Sequence, residues 1–231
     1  MVLNKLAAMD VCRNQGWLAG MPPAFREQVL TSCDLLRLAA GQTVYEVGDE
    51  AGGIFGVVSG RLGLHVPALG GEPTLSFVGG PGFWAGDLAA VAGVARRTSL
   101  IACRETEVLR LSRASMIRLA REDHDSWLHF AELMAANFAL SLATIAMLRR
   151  ADPIARMAAL LLNLAGRQQR IPILASSQSD LAAMAALSRT TTNNALAALD
   201  KLGFVRRGYG TLTIIDHDGL VGIEASDASK P

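Results

Sequence analysis

Glycine divides this chain. Of 22 glycines in 231 residues, 14 lie between Gly41 and Gly93. They separate short runs, "QTVYEV", "GIFGVVSG", "RLGLHV" and "PTLSFV". A helix tolerates glycine poorly, at roughly 1 kcal/mol per interior residue relative to alanine. Short strands joined by tight turns use it freely. The segment therefore predicts an antiparallel β-roll, and "RTSLIACRETEVLRLS" continues it as two further strands.

Helical signals flank the roll. "PPAFREQVLTSC", 22–33, has a proline start and helical periodicity, and "SRASMIRLARED" reads as a short helix. From about Asp125 to Arg150 neither glycine nor proline occurs. Trp127, Phe130, Met134, Asn137, Ser141, Thr144 and Leu148 step by three and four along one stripe. Leu128, Ala131, Ala135, Phe138, Leu142 and Ile145 form the adjacent stripe. Two stripes ask for two packing partners. The roll supplies one and a second copy of the helix the other, as in a coiled-coil dimer; one broad face within a monomer core is the alternative.

Asp152-Pro153 restarts a helix, with an acid at the cap and a proline whose missing N–H is harmless there. It stops at Gly166, and "RIPIL" is expected to be a short strand. Ser177-Gln178-Ser179-Asp180 has the capping-box pattern for a helix of about two turns. Ser188 caps another, which runs to Leu202 with Gly203 as its stop. "FVRRGYGTLTII" is expected to be a hairpin around Gly208-Tyr209-Gly210. Short helix, tight turn, second helix and basic hairpin form the layout of a winged helix-turn-helix.

That second helix opens on poor helix formers, Thr190 to Asn194. Glutamate and lysine would cover a solvated face better. Short polar side chains make sense where a helix meets base edges: asparagine bridges adenine, threonine meets a thymine methyl, arginine grips guanine. Arg189, Thr190, Thr191, Asn193 and Asn194 are the candidate base readers. Ser177, Ser188, Arg206 and Arg207 are candidate backbone contacts.

Charge supports the division. From Arg149 to Ile215 there are nine basic residues against three acids, while the remainder has 13 basic and 18 acidic residues. The basic segment suits a polyanion. Cys12, Cys33 and Cys103 include no C-x-x-C pair, and His65, His124, His129 and His217 do not cluster. Neither a zinc site nor an iron–sulfur cluster is expected, and the thiols suit a reducing cytoplasm. The chain is 51% hydrophobic and 5% aromatic, which predicts aliphatic cores. The longest apolar runs, around 157–162 and 182–187, are too short to span a bilayer.

In this order, the parts resemble the CRP/FNR superfamily of bacterial transcription regulators. "GQTVYEVGDEAGGIFGVVSGRLGLH" is similar to the early strands of the cyclic-nucleotide-type roll, and "GDLAAVAGVARRTS" to its phosphate-binding cassette. "DPIARMAALLLNLA" is similar to the hinge and first DNA-domain helix, and "LSRTTTNNALAALDKLGFV" to the recognition helix. The resemblance implies a ligand site at Gly86, Asp87, Leu88, Arg97, Thr98 and Ser141, with Arg97 gripping a cyclic phosphate and Arg96 an exposed spare. Asp87 stands where the family has glutamate, and Leu142 where the cyclic-AMP sensor has a second hydroxyl. The ligand is thus a cyclic nucleotide such as cyclic AMP, or none. Arg189 is followed by Thr190 where members reading the best-known operator have glutamate, so a different half-site is expected. Ala186 replaces the common turn glycine.

The expected fold class is α+β: a jelly-roll-like antiparallel roll over 1–124, a long dimerisation helix and hinge over 125–151, and a winged helix-turn-helix over 152–231. The function implied is that of a homodimeric, cytoplasmic DNA-binding regulator, not an enzyme, with double-stranded DNA and RNA polymerase as partners and no membrane. A cupin-like metal enzyme with an accessory helical domain is one alternative. A ligand-binding module whose winged domain binds protein is another.

Overall fold

The glycine-punctuated segment folds as short antiparallel strands in two sheets, buried throughout Gly53–Val58 and exposed over Gly71–Thr74. In the computed structural model, residues 5–68, 70–165, 172–174, 177–208 and 211–228 are described. Helix α1 (Lys5–Asn14), a single 3₁₀ turn (Trp17–Gly20) and α2 (Pro23–Thr31) precede β1 (Asp34–Leu38), β2 (Thr43–Tyr45), β3 (Gly53–Ser59), β4 (Leu62–Ala68) and β5 (Gly71–Gly79). Then come β6 (Trp84–Ala85), α3 (Asp87–Ala92), β7 (Ser99–Ala102), β8 (Thr106–Ser112), α4 (Arg113–Glu122) and α5 (Ser126–Leu148). The roll strands form two antiparallel sheets, in the orders β1-β8-β3-β6 and β2-β7-β4-β5. Helix α1 and strands β1 and β6 carry too weak a local pattern to be expected from sequence.

Composition misjudges the core. Between α1, α2, the roll and α5, Trp17, Phe25, Trp84, Trp127 and Phe130 gather into one aromatic cluster, with Trp17 and Trp84 centroids 5.7 Å apart. A low aromatic average hides a local concentration. The second roll core, around Val57, Leu62, Leu100 and Val108, is largely aliphatic. Trp17 Nε1 also donates to the His129 carbonyl at 3.1 Å, fixing the start of α5.

Contacts divide the chain into two units, 1–138 and 139–231, with the division inside α5. One stripe of α5 faces inward at its start, where Phe130 is fully buried, but Ser141 and Leu148 farther along it are exposed. The adjacent stripe does not join a monomer core, since Leu128, Phe138, Leu142 and Ile145 are exposed, Phe138 by 63%. By length and composition α5 is also apolar enough to cross a membrane. This corrects the expectation from uninterrupted runs: Glu132, Asn137, Ser141 and Thr144 break the runs while the average stays apolar.

The second unit continues with α6 (Pro153–Ala165), β9 (Pro172–Leu174), α7 (Gln178–Ala185), α8 (Arg189–Lys201), β10 (Val205–Gly208), β11 (Thr211–Ile214) and α9 (His217–Ala228). Asp152 caps α6 as expected, accepting from the Ile154 amide at 3.1 Å. Strand β9 lies beside β11, which pairs with β10 to make the wing sheet. Gly166 and the expected turn at Tyr209 and Gly210 lie outside the described residues. Helix α9, which sequence analysis missed, packs on α6 and buries Leu220.

Candidate nucleic-acid interface and sensor site

Both caps of the helix-turn-helix form. The Ser177 hydroxyl accepts from the Asp180 amide at 3.2 Å while Asp180 Oδ2 accepts from the Ser177 amide at 2.9 Å. The Ser188 hydroxyl accepts from the Thr191 amide at 3.0 Å and lies 2.7 Å from Thr191 Oγ1. Between the helices Ala186 adopts φ 51° and ψ 47°, the left-handed conformation that glycine favours. The turn is thus kept at a steric cost of about 1–2 kcal/mol.

The weak opening of α8 is sorted by helical geometry. Thr192, Ala195, Leu196 and Leu199 are buried. Thr190, Asn194, Ala197 and Lys201 occupy the opposite, exposed face. Arg189 is exposed and donates from Nη2 to Ser179 Oγ at 3.2 Å, which ties it to α7. Thr191 and Asn193 flank the exposed face and are half-buried. Asn193 is turned further inward than expected: its Oδ1 is buried without a hydrogen-bond partner, because residue 193 lies only about 100° from buried Thr192. Arg206 and Arg207 are exposed on β10, opposite Thr213 and Leu212 of β11. Ser177 and Ser188 are exposed at the two helix starts.

The helix-turn-helix is also braced from behind. Arg156, on α6, donates from Nε to the Arg150 carbonyl at 3.0 Å and from Nη1 to the Ala185 carbonyl at 3.4 Å. It escaped sequence analysis because nothing local distinguishes it from a surface arginine on a helix.

In the roll, the cassette departs from expectation at its central residue. Arg96, read as an exposed spare, is only 3% exposed, whereas Arg97 is exposed. Arg96 lies ahead of β7, where its main chain is held: the Arg96 amide donates to the Asp49 carbonyl at 2.8 Å, and its carbonyl accepts from the Gly48 amide at 2.9 Å. Arg96 donates from Nη1 to the Gly86 carbonyl and from Nη2 to the Gly53 carbonyl, each at 2.8 Å. Its guanidinium lies 4.1 Å from the Tyr45 ring centroid. Burial lowers its pKa; the Tyr45, Asp49 and Asp87 groups oppose that shift. Tyr45 is pushed up to about 12, mainly by burial, and hydrogen-bonds with Thr98.

Asp87 is buried too. Its Oδ1 accepts from Asn137 Nδ2 at 2.7 Å, and the same amide donates to the Trp84 carbonyl at 3.0 Å. Burial raises the Asp87 pKa, opposed by the Asn137 hydrogen bond and local backbone donors. Gly86 takes a left-handed conformation at φ 95° immediately before α3. Leu88 is exposed, Thr98 half-buried, and Ser141 exposed on the α5 portion belonging to the second unit. A cyclic nucleotide asks for a guanidinium available to its phosphate and an acid available to its ribose. The buried guanidinium bonds to backbone carbonyls and the buried acid to Asn137, while Arg97 stays exposed beside them.

Known proteins share this architecture. The cyclic nucleotide-binding domain family matches residues 35–123, and the Crp-like helix-turn-helix domain family matches residues 155–223. A cyclic AMP receptor protein of Thermus thermophilus is 30% identical over 174 residues, spanning 75% of this chain and 80% of that protein. The structure of FixK2 from Bradyrhizobium japonicum matches with a TM-score of 0.73 at 18% identity, covering 83% of this chain and 97% of that one. The structure of a CRP/FNR family transcriptional regulator, also from Thermus thermophilus, matches with a TM-score of 0.63 at 21% identity, covering 84% and 100%. At those identities the two structures speak for the fold; the family assignment stands on the domain matches and the receptor protein. The chain belongs to the CRP/FNR family of transcription regulators.

Proposed function

We propose that this regulator acts as a homodimer, joined along the exposed stripe of α5, that presents one α8 helix per subunit to successive major grooves of a near-palindromic operator, about 34 Å apart. The observation that carries this reading is the sorting of α8: apolar residues and Thr192 inward, Arg189, Thr190 and Asn194 outward behind a Ser188 cap. Of the side chains that weaken the helix, Thr190 and Asn194 are the ones left fully available to bases. Arg206 and Arg207 on the wing, with Ser177 and Ser188 at helix starts, supply phosphate contacts. Residues 1–124 form the sensor, 125–151 the dimerisation helix and hinge, and 152–231 the DNA-binding domain. RNA polymerase is the partner the family implies, and a cytoplasmic location follows from it.

The dimer reading accounts for the apolar composition of α5 without a membrane. Leu128, Phe138, Leu142 and Ile145 cover one another across a two-fold axis, while Asn137 is held by the roll. A cupin-like enzyme needs two histidines and a carboxylate side by side, and no group of three such ligands gathers among the described residues.

Selection from a random duplex library tests the reading. An enriched inverted repeat, bound with a steep salt dependence, is expected. A protein that enriches no repeat is not this regulator. Binding of a protein partner that survives Arg189→Ala and Asn194→Ala, with no DNA binding in the parent, would favour a protein-binding winged domain instead.

A further inference from the structure

We infer that Cys103, with His65 as its base, is a thiol modification site on the outside of the roll, oxidised at sulfur by hydroperoxides. The inference concerns the roll alone and goes beyond the DNA-binding reading.

The three cysteines are not alike. Cys12 and Cys33 are buried, whereas Cys103 is exposed, and none is in a disulfide. Burial pushes the Cys12 thiol up to about 12 and raises that of Cys33 as well. A buried thiol that stays protonated is inert, because the thiolate is the nucleophile. Cys103 is the thiol that solvent reaches.

Strand pairing brings an imidazole to it. Strand β4 runs beside β7, with Gly63 opposite Ile101 and His65 opposite Ser99. The Cys103 amide donates to the Arg61 carbonyl at 3.0 Å, which extends that pairing past the end of β7. Gly63 and His65 are two apart, so they share a face of β4. A Cβ built on Gly63 would lie 3.1 Å from Cys103 Sγ, 3.2 Å from His65 Nε2 and 3.0 Å from Leu75 Cδ1. Thiol and imidazole thus close on one point, over a residue that has no side chain. Glycine inside a strand weakens it and marks a place where something approaches closely. Here the thiol, the imidazole and Leu75 make that approach, and Gly63 is buried beneath them. His65 is itself half-buried.

The arrangement is that of a nucleophile beside its base, within reach of a proton passed directly or through one water. His65 Nε2 takes the thiol proton. The sulfur attacks one peroxide oxygen, an S–O bond forms and the O–O bond breaks. The sulfur is oxidised to a sulfenic acid while the peroxide is reduced. The departing hydroxide takes the proton back from the imidazolium and leaves as water.

The test treats the full-length protein with hydrogen peroxide at pH 7 in the presence of dimedone, and locates adducts by peptide mass spectrometry. An adduct at Cys103, with Cys12 and Cys33 unlabelled, is expected. In His65→Gln, which keeps a polar side chain but no base, the adduct should form roughly tenfold more slowly, as the thiolate fraction falls. Gly63→Ala puts a methyl group at the point the two atoms share and should slow the reaction too. A histidine that merely covered the thiol would uncover it on replacement and speed labelling, so the direction separates the two roles. An unlabelled Cys103, or a rate unchanged or raised in His65→Gln, overturns the inference. Should His65→Gln not fold, the same outcomes in Gly63→Ala decide.

Discussion

Arg156 donates from Nε to the Arg150 carbonyl at 3.0 Å, so a side chain of α6 holds the chain just beyond the end of α5. Its Nη1 reaches the Ala185 carbonyl, at the turn of the helix-turn-helix. One guanidinium thus braces the segment before the hinge and the turn before α8. Arg156→Ala is expected to lower unfolding stability by about 1–3 kcal/mol, the range for hydrogen bonds to a charged group. It should also weaken operator binding more than Arg156→Lys does, because lysine keeps the charge without the fork. Denaturant unfolding and equilibrium DNA titration of both variants check this.

Ala186 is the non-glycine residue with positive φ among the described residues. Ala186→Gly removes the Cβ clash at the cost of a more flexible unfolded chain. The net expectation is stabilisation of about 0.5–1 kcal/mol. Ala186→Val should destabilise by more than that, since a β-branched side chain suits the left-handed region worse. Denaturant midpoints of the three proteins order them Gly, Ala, Val.

The Asp87 carboxyl is held above its ordinary value, first by burial. A carboxyl raised on folding contributes stability below its unfolded pKa and loses it as pH rises through the folded value. At neutral pH the ionised group is therefore a net cost. Asp87→Asn should raise Tm at pH 7, and the difference should close as the pH falls into the carboxylate range, where Asp87 is itself neutral. Thermal unfolding from pH 7 to pH 3.5, roughly the carboxylate range, checks the sign.

The exposed stripe of α5 sets the expected oligomeric state. Leu142→Asp or Ile145→Asp places a charge where the proposed two-fold contact excludes water, and a monomer is expected in sedimentation. Leu88→Asp, also at an exposed leucine but on α3, serves as the control and should leave the oligomer unchanged.

Base readers and phosphate contacts separate by their salt behaviour. Arg206→Ala should weaken binding evenly across sequences and reduce the slope of log affinity against log salt by about one. Asn194→Ala should cost about 1–3 kcal/mol on the selected operator and relax preference at one position, with little change in slope. Titrations at several salt concentrations distinguish the two classes.

What was legible in the sequence was what short stretches control. The caps at Asp152, Ser177 and Ser188, the proline start of α6 and the stop after α8 form where expected, because a cap is settled within four residues. The glycine-spaced strands β2 to β5 followed from turn chemistry in the same way. The inward set of α8 was readable from its period, apart from Asn193 at the margin. Elements whose reason lies elsewhere in the chain were not readable: α1, β1, β6 and α9 exist because a partner surface covers them.

By itself, then, the sequence determined the order of its locally specified elements, the division between a glycine-rich sensor and a basic reader, and the family. Tertiary structure decided which arginine enters the roll. Counting residues from Gly86 leads to Arg97, but the chain between α3 and β7 is irregular, and which of two adjacent arginines turns inward depends on partners distant in sequence. The Arg96 main chain pairs with Gly48 and Asp49 and its guanidinium with the Gly53 and Gly86 carbonyls, and that places Arg96 inside. Spacing along the chain is local information, whereas the side to which such a residue points is fixed only when those partners are in place.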